Sequence, residues 1–141
     1  MPYHIVLDTN VIIAGLRSSE GASYHLLRLL GDERFQLHLS VPLLIEYEDV
    51  AKRPELGIPF SSEEIDEFVE SLCAVGQMHA IFFLWRPHVR DPGDGLVLDV
   101  AIAGRARYIV TFNRRDFVGC EEFGIEAITP ARFLRIIGER P

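Results

Sequence analysis

The sequence predicts an α/β fold: a mostly parallel sheet with helices covering both faces. Two observations carry that prediction. Short β-rich apolar runs alternate along the chain with amphipathic helical segments, the order that βαβ units produce. The chain of 141 residues is the size of one domain, with no internal repeat, low-complexity tract or linker to divide it. A single domain over residues 1–141 is therefore expected.

Each element has its own local reason. Tyr3 to Leu7 is a β-rich run that stops at Asp8, and Thr9 with Asn10 suits the cap of a helix through about Leu16. Leu26, Leu27, Leu29 and Leu30 fall at helical spacing between Ala22 and Leu30. Phe35, Leu37 and Leu39 alternate with Gln36, His38 and Ser40, which is strand periodicity. Pro42 opens a helix at the tolerated first-turn position, and Leu43, Leu44, Tyr47, Val50 and Ala51 follow on one face. Ser61-Ser62-Glu63-Glu64 is a capping signature for a helix to about Val75. A short apolar strand is predicted over residues 80–84, and a helix between Gly95 and Ala103, stopped by Gly104. Strands over Tyr108 to Thr111 and Glu126 to Ile128, and a helix from Pro130 to about Ile137, complete the chain.

Composition excludes several classes. Hydrophobic residues make up 48% and charged residues 25%, which is globular rather than disordered. No apolar run approaches the roughly 18 residues of a membrane helix. The first residues carry Asp8 inside an apolar stretch and no basic leader, so a cytoplasmic protein is expected. A net charge of −7 rules out a uniformly basic nucleic-acid coat. Lys52 is the only lysine among 14 basic residues, an arginine bias that suits phosphate binding and also follows from a GC-rich genome. Cys73 and Cys120 stand far apart with no CxxC spacing, so reduced, partly buried thiols are expected and no zinc site.

The chemistry lies in the acids that follow predicted strands, because ligands of open α/β sheets collect at the C-terminal strand ends. Asp8 ends the first strand, Asp91 and Asp94 precede the helix leading to the fourth, Asp116 follows that strand, and Glu46 lies about one turn into the helix after Val41-Pro42. An Asp directly after a core strand has an energetic cost that a cap or a ligand must offset. Taken singly, each acid has an ordinary explanation as a cap, a turn residue or a solvated carboxylate. Converging, they repel one another unless a cation neutralises them, and oxygen-only donors suit Mg²⁺ or Mn²⁺. Such a site can activate water for phosphodiester cleavage.

The ordered set of these pieces resembles the PIN-domain family of metal-dependent ribonucleases, and within it the bacterial toxin components of toxin–antitoxin pairs. The pieces are Val6-Leu7-Asp8-Thr9-Asn10-Val11, Ser40-Val41-Pro42 leading to Glu46-Tyr47, Arg90-Asp91-Pro92-Gly93-Asp94 with Val97-Leu98, Ile109-Val110-Thr111-Phe112-Asn113 running into Asp116-Phe117, and Gly124-Ile125-Glu126 before Thr129-Pro130. The resemblance spans nearly the whole chain. It implies a three-layer α/β/α sandwich, and it places Asp8, Glu46 and Asp94 at the three principal metal-holding acidic positions. Asp116 takes the fourth, more variable position, and Asp91 is an alternative or outer-sphere acid. Thr9 and Asn10 would orient Asp8, Thr111 would support the crevice, and Asn113 could coordinate through its amide oxygen.

The implied activity is cleavage of single-stranded or loop RNA by an endoribonuclease with a Mg²⁺ or Mn²⁺ cofactor. The implied protein partner is an antitoxin. Arg17, Arg114 and Arg115 lie close in sequence to the acids and either hold RNA phosphates or are exposed solubilising charge. Tyr47 and Phe112 either stack on bases or pack in the core. The five histidines are scattered and read as strand or loop residues rather than catalytic ones. Apolar faces around Leu26 to Leu30 and Leu72 to Val75 suggest a homodimer.

Two departures from the pattern matter. Gly93 and Gly95 flank Asp94 where this branch commonly has further acids, and Asn113 stands where many relatives carry Asp. They give weight to an alternative of a different class, a catalytically weak PIN-like RNA-binding or protein-interaction module. Two other enzyme classes fit less well. An aspartyl phosphatase would want Asp where Asn10 stands, and a response-regulator receiver needs a lysine after its fifth strand, where none occurs.

Overall fold

A computed structural model of the chain describes residues 1–81 and 92–139. Among the described residues five strands form one parallel sheet: β1 (Tyr3–Leu7), β2 (Phe35–Leu39), β3 (Gln77–Met78), β4 (Tyr108–Val110) and β5 (Glu126–Ile128), in the order β3-β2-β1-β4-β5. Six α-helices among the described residues surround them: α1 (Thr9–Arg17), α2 (Ala22–Arg28), α3 (Val41–Ala51), α4 (Ser62–Val75), α5 (Pro92–Ala103) and α6 (Pro130–Ile136). Ile5, Val6 and Leu7 are all buried, as are Tyr108, Ile109 and Val110. Consecutive buried residues on a strand mean that both sheet faces are covered, which makes the fold the expected three-layer α/β/α sandwich.

The register follows from the pairing of β1 with both central neighbours. Tyr3 lies opposite Phe35 on β2, and Leu7 lies opposite Val110 on β4. Helix α5 packs against β1, β2 and β4, while α2 packs between α1 and α6. Phe133 of α6 turns its ring edge-on to Phe35, 5.4 Å between centroids, and lies 5.9 Å from Tyr108. Such aromatic contacts clamp the last helix to the sheet.

Capping agrees with the sequence at several ends. Ser61 Oγ accepts the Glu64 N–H at 3.1 Å, and Glu64 Oε1 accepts the Ser61 N–H at 2.9 Å, a complete capping box on α4. Pro130 opens α6 behind Thr129, whose hydroxyl accepts the Arg132 N–H at 3.3 Å. The first helix is capped by Asp8 itself rather than by Thr9 or Asn10, its carboxylate accepting the Thr9 N–H at 2.8 Å.

Three predicted boundaries are corrected. The third strand is Gln77–Met78, earlier than residues 80–84, of which 82–84 lie outside the described residues. At a sheet edge the pairing needs backbone groups rather than apolar side chains, so exposed Gln77 and Met78 pair with His38 and Leu39. Helix α5 begins at Pro92, not Gly95, because proline is tolerated in a first turn where its missing N–H has no partner to lose. Helix α2 stops at Arg28, where the Leu29 N–H bonds back to Leu26 O and Gly31 turns the chain at φ 95°.

Candidate active site

The strand order reverses at β1 and β4, since the chain fills one side of the sheet with β2 and β3 and the other with β4 and β5. The crevice past the C-terminal ends of β1 and β4 is the place where such sheets bind ligands. Asp8 leaves β1 there and Thr111 leaves β4. The strand ends are tied by the Asp8 N–H donating to Val110 O at 2.9 Å.

Asp8 is held by both carboxylate oxygens. Oδ1 accepts the Thr9 N–H at 2.8 Å, and Oδ2 accepts the Thr111 hydroxyl at 2.7 Å. Thr111 is fully buried, and its Oγ1 also accepts the Asn113 N–H at 2.9 Å. Asn10 has a different role from the expected one. Its Oδ1 accepts the Phe112 N–H at 3.4 Å, so it ties the start of α1 to the segment after β4. Asp8 and Asp94 are 6% and 9% exposed, deep enough for their charge to be felt strongly.

A cleft of about 460 Å³ opens over these residues. Asp8, Glu46, Asp94 and Asp116 all line it, together with Thr9, Asn10, Arg17 and Asn113. Each acid arrives on a different element. Glu46 rides on α3, whose N-cap is Ser40, its buried hydroxyl accepting the Leu43 N–H at 3.2 Å. Asp94 sits in the first turn of α5. Asp116 lies in a 3₁₀ turn, Arg114–Phe117, closed by its N–H bonding to Asn113 O at 3.0 Å. Asp91 lies outside the described residues.

Other predicted residues fall elsewhere. Tyr47 is buried, so it does not stack on bases; its hydroxyl donates to Leu7 O, and burial with the nearby Asp8 charge pushes its pKa well above the ordinary value. It therefore stays protonated and braces the strand residue next to Asp8. Arg114 and Arg115 line a neighbouring groove rather than the acid cleft. A pocket of about 520 Å³ between α2 and α6, lined by Tyr24, His25, Leu29 and Leu134 among others, contains none of the candidate acids.

The donor chemistry of the cleft fits a hard divalent cation: anionic and amide oxygens and, among the described residues, no thiol or imidazole. The fit is one of donor type. Among the described residues, no group of three His, Cys, Asp or Glu side chains is already arranged to hold a metal ion.

The sequence reading missed one cluster. Three histidines that are scattered in the chain form a row: His4 Nδ1 lies 2.7 Å from His38 Nε2, and His38 Nδ1 lies 2.7 Å from His79 Nε2. The signal is visible only with the register in hand. His4 pairs with Gln36 and His38 with Gln77, so alternation places His4, His38 and the position of His79 along one face. Burial, and then the charges of His79 and His4, lower the His38 pKa to about 4.

The fold and the cleft define a class: a parallel α/β sandwich that gathers carboxylates at its switch point. The chain belongs to the PIN-domain family, whose model matches residues 4–115, a stretch containing Asp8, Glu46 and Asp94 and ending one residue before Asp116. PIN domains are in general nucleases. Among solved structures, the chain is similar to one in the crystal structure of VapBC2 from Rickettsia felis bound to a DNA fragment from their promoter. The TM-score is 0.62 at 18% identity, covering 88% of this chain and 98% of that one. No curated protein matches the chain.

Proposed function

We propose that this protein is a metal-dependent endoribonuclease that cuts single-stranded or loop RNA, the toxin of a toxin–antitoxin pair. One observation carries the reading: Asp8, Glu46, Asp94 and Asp116, distant in sequence, line one cleft at the β1/β4 switch point. Membership of a nuclease family supports it. Asp8, Glu46 and Asp94 would hold Mg²⁺ or Mn²⁺, with Asp116 and Asn113 at its edge and Asp91 a further candidate. A bound cation supplies positive charge against the phosphate and an acidified water for hydrolysis.

The chain's own contribution is preorganisation. The Thr9 N–H and Thr111 hydroxyl fix the Asp8 carboxylate before substrate arrives. Neutral Tyr47 holds the backbone on the preceding residue. Arg17, exposed and lining the cleft, can hold an RNA phosphate. Among the described residues no histidine lines the cleft, so general acid–base work there does not rest on one of them.

The antitoxin partner is proposed from the sequence resemblance and from the structural neighbour, which is the two-component VapBC2. Self-association is proposed on a different surface from the expected one. Leu26 and Leu72 are buried and Leu27, Leu29 and Leu30 pack against the core, whereas Val41 and Ile45 project from α3 at 59% and 58% exposure. Sedimentation of Ile45→Glu against the wild type checks this: loss of a dimer supports the surface, and an unchanged dimer removes it. The second reading, a PIN-like module with little catalysis, is favoured by Gly93 and Gly95, which flank Asp94 in place of further acids.

Cleavage of a labelled single-stranded RNA pool with Mg²⁺, Mn²⁺ or EDTA separates the two readings. Cutting that requires cation and disappears in Asp8→Asn and Asp94→Asn is expected. Intact RNA under every condition, from folded protein free of partner, would favour the binding module or a nuclease with a very narrow target, and a metal titration chooses between those two.

A further inference from the structure

The acid cleft does not end at Asp116. Asn113 and Asp116 also form a wall of a second groove, about 910 Å³, whose other lining includes Phe112, Arg114, Arg115 and Val118. Phe112 and Val118 are among the exposed large apolar residues, at 49% and 73% exposure. Together they leave an apolar patch on the groove beside the acid cleft, and the Phe112 backbone N–H is tied to Asn10 of that cleft. Arg114 and Arg115 are exposed and make no ion pair among the described residues. The carboxylates on the groove are partly engaged already. Glu126 lies 3.7 Å from Arg107 and 3.6 Å from Arg132, and Glu121 accepts the Gly119 N–H at 3.0 Å.

We propose that this groove is the flank-binding subsite of the enzyme: the base of an unpaired nucleotide next to the cut stacks on Phe112 while Arg114 and Arg115 hold the adjoining phosphates. The inference rests on the reading of the substrate as RNA and adds which part of the protein grips it beyond the acids. An aromatic face flanked by guanidinium groups is the combination that binds single strands, because every unpaired base offers a π-face and every nucleotide a phosphate. A duplex hides those faces, so the subsite selects single-stranded RNA or loops. The shared wall of Asn113 and Asp116 makes the path continuous from the groove into the cleft.

The test reads binding separately from cutting. A fluorescein-labelled oligouridine of about a dozen nucleotides, within the range that single-strand sites cover, is titrated in Mg²⁺ against protein carrying Asp8→Asn to keep it intact. Adding Phe112→Ala is expected to weaken binding by about tenfold or more, and Phe112→Tyr to preserve it. Arg114→Ala and Arg115→Ala should each flatten the slope of log affinity against log salt by about 0.7. An abasic oligomer should erase the difference between Phe112 and Ala. Unchanged affinity in Phe112→Ala, with the fold intact by circular dichroism, overturns the proposal and leaves this face to a protein partner. Wild-type protein that cuts RNA with Phe112→Ala binding normally would sink the subsite and keep the nuclease. Phe112-dependent binding by a wild type that never cuts would do the reverse.

Discussion

The Thr111 hydroxyl donates to Asp8 Oδ2 at 2.7 Å, linking the end of β4 to the end of β1 beneath the cleft. That bond orients the most buried acid of the cleft and satisfies one of its oxygens. Thr111→Val keeps the shape but removes the donor for Asp8 and the acceptor for the Asn113 N–H. The expected cost is about 1–3 kcal/mol in urea unfolding, because a buried acceptor loses its partner. Cleavage should fall by about 10- to 100-fold, the usual effect of losing a group that positions a ligand. Thr111→Ser should restore most of both, and its failure to do so would show that the methyl group rather than the hydroxyl matters.

Cation binding should be visible without any RNA. Carboxylates gathered on one cleft repel each other, so a divalent ion that binds the folded state stabilises it by mass action. Mn²⁺ at about a hundredfold over its dissociation constant would add about 2.7 kcal/mol, a clear rise in the melting temperature. Asp8→Asn and Asp94→Asn should each abolish most of that rise. An equal rise in all three proteins would mean that the ion binds somewhere else.

The capping box offers a control remote from the chemistry. Ser61→Ala removes the acceptor for the Glu64 N–H and should cost about 1 kcal/mol of stability. Cleavage measured well below the melting temperature should not change, since Ser61 does not line the acid cleft.

Much of this molecule was legible in the chain for identifiable reasons. Asp8 stood out because an acid after Ile5-Val6-Leu7 is costly without a purpose, and the structure supplies one in Thr9 and Thr111. The capping box at Ser61 and Glu64 is a local pattern, and local patterns survive folding. Glu46 and Asp116 lie within a turn or two of strand ends, so their spacing alone points to the face where the cleft opens. The third strand escaped because an edge strand of Gln77 and Met78 carries no apolar alternation. The start of α5 was hidden by Gly93 and Gly95, poor helix formers that argue against a first turn. The division of labour between Arg17 in the cleft and Arg114 and Arg115 in the groove depends on how the segment after β4 curls, which spacing does not encode.

The histidine row was out of reach for the same reason, and it yields the sharpest stability prediction. An unfolded histidine takes up a proton as pH falls through about 6.5, whereas buried His38 resists until about 4. Its depressed pKa therefore contributes stability that is complete above the unfolded value and is lost as pH falls through that window. Urea unfolding between pH 7 and about 4 should register a loss from this residue of roughly 3 kcal/mol. His79, also lowered by burial, adds to the same slope. Gly104 is what leaves room for the row: a Cβ there would stand 2.6 Å from His38 Nδ1 and 3.1 Å from His79 Nε2. Its backbone is not among the positive-φ glycines, so Gly104→Ala acts through the rings rather than through strain in the chain. It should destabilise by about 1–3 kcal/mol at pH 7. Combining it with His38→Ala should recover part of that loss, since the crowded partner is gone, and the double variant should show a flatter pH dependence than wild type. Strict additivity of the two substitutions would mean that Gly104 is needed for something other than the histidine row.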